Sequence, residues 1–501
     1  MSFPQLSGHA NSIQLTADGT LLIKQTLRLE HEFYTMMEQA RAMGALDAPE
    51  SDNALDQRTL LALKNLNRLS RFVSKFYGVL TESNVGVEAL NVSEEAVPIT
   101  STGDTNAKQF LVLSNLVDSF KKPNVLDLKL GTVLYDELDQ ACSEDKKARM
   151  IKAARETTIG ECGLRLTAFQ VSGLYKTLAF GRSSSSIFVH PQPPTTSVAY
   201  SDTNSLMPVT TPKIYGKSLK KEQLSEGIRR VFPVLGEPIP ILVPGAASPS
   251  VGSSSTSGAS TPRSDGFSTT SLPPNIPIST FNTADYTNVS RTDLGLPTSI
   301  LLPILRAIHN SLTHLHSILK DIEIRIIGGS LLVVWEGDQE RAQEGVDWMR
   351  ERERMIRERV KRDFGDDDDE EYYIDDDDEE EEDTSSEEDE DEAFQDTSAT
   401  GSETSNAPTT HIVKDTSESI PQTSAASQSL PSEPLPDRQK PKRKPSAPYK
   451  IALIDFAHTR FVPGQGPDSG VLLGLETFAE LIEERIKEVE ESERGRTEEA
   501  G

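Results

Sequence analysis

The sequence predicts an α+β fold, a single folded domain interrupted by three long inserts. A hairpin signature opens the chain, and apolar strands then mix with segments of helical period. Three stretches rich in Ser, Thr, Pro or acid hold too little apolar material for a core.

The hairpin begins at Ser12-Ile13-Gln14-Leu15-Thr16, turns at Asp18-Gly19 and returns through Leu21-Leu22-Ile23-Lys24. Helical spacing follows over 30–43 and 55–69, leading into Phe72-Val73-Ser74-Lys75-Phe76-Tyr77-Gly78. Apolar strands are expected at 110–113 and 124–129, a basic helix at 143–155, and a further strand at 163–171. Ser/Thr/Pro-rich composition marks inserts at 182–211 and 245–297. A helix over 299–320 precedes strands 322–327 and 330–335, read as a pair turned through Gly328-Gly329. A charged helix carries Trp348 towards Asp363, the third insert occupies 366–448, and a strand at 449–456 with a helix at 470–491 closes the pattern.

The formal charge of the 501 residues is -28, but about 21 acidic side chains lie between Asp366 and Glu392, so the rest is only mildly negative. Such a run reads first as a solvated, self-repelling tract, and second as a docking segment for basic chromatin proteins or transcription factors. Arg438-Gln439-Lys440-Pro441-Lys442-Arg443-Lys444 is compatible with nuclear import, while the neighbouring acid argues against direct nucleic-acid binding. Two cysteines, Cys142 and Cys162, exclude a disulfide framework or a multi-cysteine zinc site and point to a reducing compartment. The first residues lack an apolar signal core, and no run approaches the ~18 apolar residues of a spanning helix, so a soluble intracellular protein is expected.

The chemistry concentrates in Pro123-Asn124-Val125-Leu126-Asp127-Leu128-Lys129-Leu130-Gly131. A carboxylate and an ammonium two apart on an apolar strand share one face, where they must pair with each other, bind something charged, or do both. Ile454-Asp455-Phe456-Ala457-His458 ends another apolar strand with an acid, a position suited to a metal or to a simple cap. Gly328-Gly329-Ser330-Leu331-Leu332 reads equally as a phosphate contact or as a turn. Lys24 precedes a helix containing Glu30 and Glu32, and Lys146, Arg149 and Lys152 recur on roughly one face of the basic helix. No Walker loop or Gly-x-Gly-x-x-Gly occurs, which removes the common nucleotide-binding folds.

The run from Pro123 to Gly131 matches P-x-x-x-D-x-K-x-G at every fixed position and resembles the inositol polyphosphate kinase family. Ile-Asp-Phe-Ala-His, Ser-Leu-Leu and Glu32-Phe33-Tyr34 are similar to further signatures of that family. Ala154 to Thr158, Gly163 to Val171 and Tyr215 to Leu219 resemble its fungal members. The resemblance implies a two-lobed kinase-like fold, with an ATP-binding lobe at 1–120 and an inositol phosphate lobe at 121–501. It implies ATP and Mg²⁺ as cofactors, with Asp127 on the ribose, Lys24 on ATP phosphates and Asp455 as metal ligand. Ser114 and Leu116 would meet adenine through their backbone. Lys129 would meet substrate and the transferred phosphoryl group; Lys146, Arg149, Lys152, Ser330 and His458 would bind the inositol phosphate. Two departures stand out: Ser114 occupies a common glutamate position, and Ser74 a usual proline. The loop 135–145 is also about one residue longer than the family's. The implied activity converts inositol trisphosphate and tetrakisphosphate to pentakisphosphate, in nucleus and cytoplasm. An inositol hexakisphosphate kinase and a nuclear transcriptional scaffold are the alternatives.

Overall fold

The computed structural model describes residues 13–44, 54–81, 108–139, 142–172, 209–211, 213–244, 286–364 and 445–500. In chain order the elements begin with β1 (Ile13–Leu15), β2 (Leu21–Gln25), α1 (Arg28–Gly44), α2 (Ala54–Ser70), β3 (Phe76–Thr81), β4 (Gln109–Ser114) and β5 (Pro123–Leu130). They continue with α3 (Glu144–Glu156), α4 (Ile159–Cys162), β6 (Leu164–Val171), β7 (Val209–Thr211), α5 (Lys213–Ser218), α6 (Leu224–Val231), β8 (Ile239–Pro244) and β9 (Tyr286–Arg291). The last are α7 (Thr298–Lys320), β10 (Ile324–Ile326), β11 (Ser330–Glu336), α8 (Gln339–Phe364), β12 (Tyr449–Ile454), β13 (Thr459–Phe461) and α9 (Ser469–Ala500). The fold class is α+β, as the sequence predicts. Among the described residues no helix is long and apolar enough to cross a membrane.

Two antiparallel sheets organise the chain, a four-stranded one in the order β1-β2-β4-β3 and a five-stranded one in the order β12-β11-β5-β6-β7. In the first, alternation sends Leu21 and Ile23 into a small cluster with Leu80 and Val112, and Leu22 towards the main core. In the second, Leu126, Leu128 and Leu130 of β5, Leu331, Val333 and Trp335 of β11, and Ile451 and Leu453 of β12 join the buried apolar residues of α7 and α9. The opposite face of β5 is left to Val125, Asp127 and Lys129. A parallel bridge between Val73 and Leu453, and the bond from the Leu453 amide to the Phe72 carbonyl at 2.7 Å, tie the segment after α2 to β12.

The expected hairpin through Gly328-Gly329 does not form. β10 pairs with β13, whereas β11 lies between β5 and β12 with both edges occupied. Gly328, at φ 70°, therefore turns the chain from one sheet into another. The expected inserts fall largely outside the described residues, as do the acidic tract and the cluster 438–444. Their edges need correction. Residues 209–211 form β7 against Phe169–Val171, and 286–291 form β9 against β8, because sheet pairing overrides a polar composition. The Pro448 carbonyl likewise accepts the Glu336 amide at 2.9 Å.

The start of α9 approaches the end of β5 through glycines. Gly163, at φ 65°, gives its carbonyl to the Gly131 amide at 2.8 Å, and a Cβ on it would lie 2.6 Å from the Gly474 nitrogen. Gly163→Ala should therefore combine left-handed strain with a backbone clash and lose at least about 2 kcal/mol. Urea unfolding checks this, and a loss below about 0.5 kcal/mol, the size of an ordinary surface change, would mean that α9 can shift freely.

Candidate active site

Strand register assembles the polar face of the large sheet. Ile454, Ser330, Lys129 and Arg165 are successive partners across β12, β11, β5 and β6, and Ala452, Leu332, Asp127 and Ala168 form the neighbouring row. Asp127 and Lys129 thus share one face, as their spacing predicts. Asp127 is 2% exposed, with only alanine and leucine as its row partners. Lys129 Nζ donates to the Gly328 carbonyl and, at 3.3 Å, to the Ser330 hydroxyl, which is itself buried. Arg165 was not singled out from the sequence. Burial pulls its guanidinium below the ordinary arginine value, and the Asp127 carboxylate pushes back. The signal was available, since an arginine on a mainly apolar strand needs an anion.

At the end of β12 the chain leaves the row through Asp455, whose φ of 68° is the only positive one among described non-glycine residues. Asp tolerates this region better than most residues. Lys24 Nζ donates to Asp455 Oδ1 at 2.7 Å and to Glu30 Oε1 at 2.7 Å. Burial alone would lower the Lys24 ammonium, but the Asp455 and Glu30 carboxylates hold it above the ordinary lysine value. Glu30, 1% exposed, also accepts the Thr26 hydroxyl at 3.1 Å and the Phe456 amide at 3.3 Å. Of the two helix glutamates, Glu30 is the lysine's partner; Glu32 pairs at the surface with Arg28. Phe456 is wholly buried, stacked on Phe33 at 3.9 Å and met edge-on by Tyr34 at 5.5 Å, so α1 fixes the residue after Asp455.

His458 lies on the turn from β12 to β13, with Nδ1 4.0 Å from Asp136 Oδ2. The structure adds Arg460, which contacts the same oxygen. Lys146, Arg149 and Lys152 all lie on α3, capped by Ser143. Lys146 is half-buried, whereas Arg149 and Lys152 are exposed and Lys152 faces Glu156 at 3.7 Å. Lys147, outside the predicted trio, is the helix cation set over the Tyr135 ring, 5.2 Å from its centroid.

At the expected adenine connection, the Ser114 amide donates to the Lys75 carbonyl at 2.9 Å and the Asn115 amide to the Thr20 carbonyl at 2.8 Å. Ser114 Oγ accepts the Lys75 amide at 3.1 Å. The Ser114 amide is thus taken up by the fold, which leaves its carbonyl and its hydroxyl proton as the groups it could offer a ligand. Beyond this turn, the buried Glu336 carboxylate accepts the amides of Lys121, Lys122 and Asp338 at 2.7, 2.8 and 2.8 Å.

Among the described residues no cluster of three or more His, Cys, Asp or Glu could hold a metal alone. A site drawing one carboxylate from the protein and its other oxygens from phosphates and water suits Mg²⁺, and Asp455 beside Lys24 fits that donor set.

The inositol polyphosphate kinase family model matches residues 110–236 and 298–483, together more than half of the chain. Inositol polyphosphate multikinase of Saccharomyces cerevisiae is 28% identical over 165 residues, 33% of this chain and 44% of that protein. Inositol hexakisphosphate kinase 3 of Mus musculus is 40% identical over 63 residues, 13% of this chain and 15% of that protein. The chain thus spans less than half the length of either relative. The crystal structure of S. cerevisiae Ipk2 in complex with ADP and Mn²⁺ superposes with a TM-score of 0.41 at 17% identity, covering 93% of this chain and 100% of that one.

Glu336→Gln keeps the side chain's size but not its charge, so three amides lose their carboxylate. The expected loss is roughly 1.5–3 kcal/mol in chemical denaturation, the value of a hydrogen bond to a charged group. A change under about 0.5 kcal/mol would show that water replaces the carboxylate.

Proposed function

The chain belongs to the inositol polyphosphate kinase family, and from that premise we propose that it transfers the γ-phosphoryl group of ATP to hydroxyls of inositol trisphosphate and tetrakisphosphate. The observation that carries this is the 2.7 Å contact of Lys24 with Asp455, one residue beyond the row that holds Ser330, Lys129 and Arg165. A fixed carboxylate beside cations is what phosphoryl transfer asks of a protein, since its catalysis is positioning and charge stabilisation.

In this reading the nucleotide lies between the four-stranded sheet and the polar face of the large sheet, which also carries the acceptor. Lys24, oriented by Glu30, neutralises ATP phosphate oxygens, and Asp455 would hold a Mg²⁺ ion, which would supply further positive charge against the phosphates. Asp127 takes the ribose, and the adenine edge meets the Ser114 carbonyl and the Leu116 amide. Lys129 stabilises charge on the transferring group. Arg165, Ser330 and His458 contact acceptor phosphates, and Lys146, Arg149 and Lys152 extend the cationic surface. No covalent intermediate is needed. The basic cluster 438–444 and acidic tract 366–392 support a nuclear role with basic protein partners, alongside a cytoplasmic pool.

The 40% identity to an inositol hexakisphosphate kinase over 63 residues favours one second reading, the formation of diphosphates. Incubating purified protein with Mg·ATP and inositol 1,4,5-trisphosphate, with products resolved by anion exchange, separates the two. Tetrakis- and pentakisphosphate should appear, and Lys129→Met should lower kcat by roughly 10²–10³. An Asp127→Ala Asp455→Ala protein should be inactive. Conversion of hexakisphosphate instead would move the assignment to the second reading, and inactivity on both would remove the kinase reading.

A further inference from the structure

The loop after β5 begins at Gly131, two residues past Lys129, and brings Asp136 to the segment that follows Asp455. The Asp136 side chain is 2% exposed. Its Oδ1 accepts the Leu138 amide at 2.9 Å. Its Oδ2 accepts Arg460 Nε at 2.9 Å and Nη2 at 2.8 Å, with His458 Nδ1 4.0 Å away. One buried oxygen is therefore shared by two side chains from β13 and the turn before it.

Geometry decides what this arrangement can do. Nε and Nη2 form one edge of the planar guanidinium, so Asp136 occupies that edge and the Nη1 side faces elsewhere. Arg460 and His458 keep 29% and 34% of their side-chain exposure, while the acid keeps almost none. Exposed charge pairs contribute little to stability, so accessible donors are a weak way to fasten a loop. Here the anion is hidden and the donors remain accessible, next to the residues assigned to the reacting groups.

We propose that Asp136 is a positioning residue for the acceptor: it fixes Arg460 so that the remaining donor edge, with His458 beside it, meets a phosphate of the inositol phosphate. This rests on the kinase reading and adds a specificity-determining arginine to it. A fixed bidentate arginine discriminates where phosphates stand on the ring, which a flexible lysine does not.

The test is steady-state kinetics of the full chain, with ATP and inositol 1,4,5-trisphosphate varied separately, for Asp136→Asn, Arg460→Ala, Arg460→Lys and the Asp136→Asn Arg460→Ala double variant. Each single variant should raise the KM for the inositol phosphate about tenfold, with kcat and the KM for ATP within about threefold of the unmutated values. The double variant should be no worse than the poorer single, because the two residues act as one unit. Lysine should not rescue, lacking the fork. An unchanged acceptor KM would overturn the proposal, as would a lower one in Asp136→Asn, which would make the acid a repelling charge. Equal rises in both KM values with a lower melting temperature would also overturn it and leave a structural tie. If the unmutated chain phosphorylates no inositol phosphate, the kinase reading fails and this inference with it; turnover with unchanged KM values sinks the inference alone.

Discussion

Lys24 and Asp455 are separated by 431 residues and joined by a 2.7 Å ion pair, and most of what surrounds them serves to keep that pair in place. Burying an ammonium is unfavourable unless its partners are fixed. Glu30 supplies the second carboxylate, and it is held in turn by Thr26 and by the Phe456 amide. Phe456, stacked on Phe33 and met edge-on by Tyr34, prevents Asp455 from moving independently of α1. The ion pair and the aromatic packing are therefore one unit: loosening the ring contacts would let the acid drift from the lysine, and losing the acid would leave a half-buried cation opposite a single glutamate.

Strand pairing explains how long inserts are accommodated. Val171 pairs with Val209 and Pro244 with Tyr286, so the chain leaves and re-enters the fold at adjacent register partners. Closing a loop between fixed neighbours becomes only about 0.6 kcal/mol less favourable per doubling of its length. The third return is anchored by the Pro448 carbonyl on the Glu336 amide, one strand away from β5. Length has been added where the ends are already pinned, and the row of Ile454, Ser330, Lys129 and Arg165 is undisturbed.

Much of this was legible from local pattern. Alternation places Asp127 and Lys129 on one face, and helical spacing finds α1, α2, α3 and α7 with small errors at their ends. What escaped depends on contacts between distant segments. Nothing in Ile324-Arg325-Ile326 says that it pairs with β13 rather than β11, because a short strand takes its partner from whichever edge is open. Composition assigned Tyr286–Arg291 to an insert, since a polar edge strand looks like a loop until its partner is known. Asp136 and Arg460 each looked ordinary, and only their meeting across 324 residues makes them a unit.

The two departures from the family pattern, at Ser74 and Ser114, looked unrelated in sequence and prove to be neighbours. Lys75 and Ser114 are joined twice, by the Ser114 amide on the Lys75 carbonyl and by the Lys75 amide on Ser114 Oγ. Serine is short enough to turn its oxygen back onto a backbone amide, which the longer glutamate does less readily. The bond holds the segment before β3 against the end of β4, and restrains a loop that lacks the fixed φ a proline at 74 would provide. Ser74 itself is 5% exposed, so the restraint acts on packed rather than solvated backbone. A side-chain hydrogen bond at the end of β4 thus substitutes for ring stiffness one residue away. The Ser114 amide goes to the Lys75 carbonyl by a second, separate bond, so the two residues are tied in both directions.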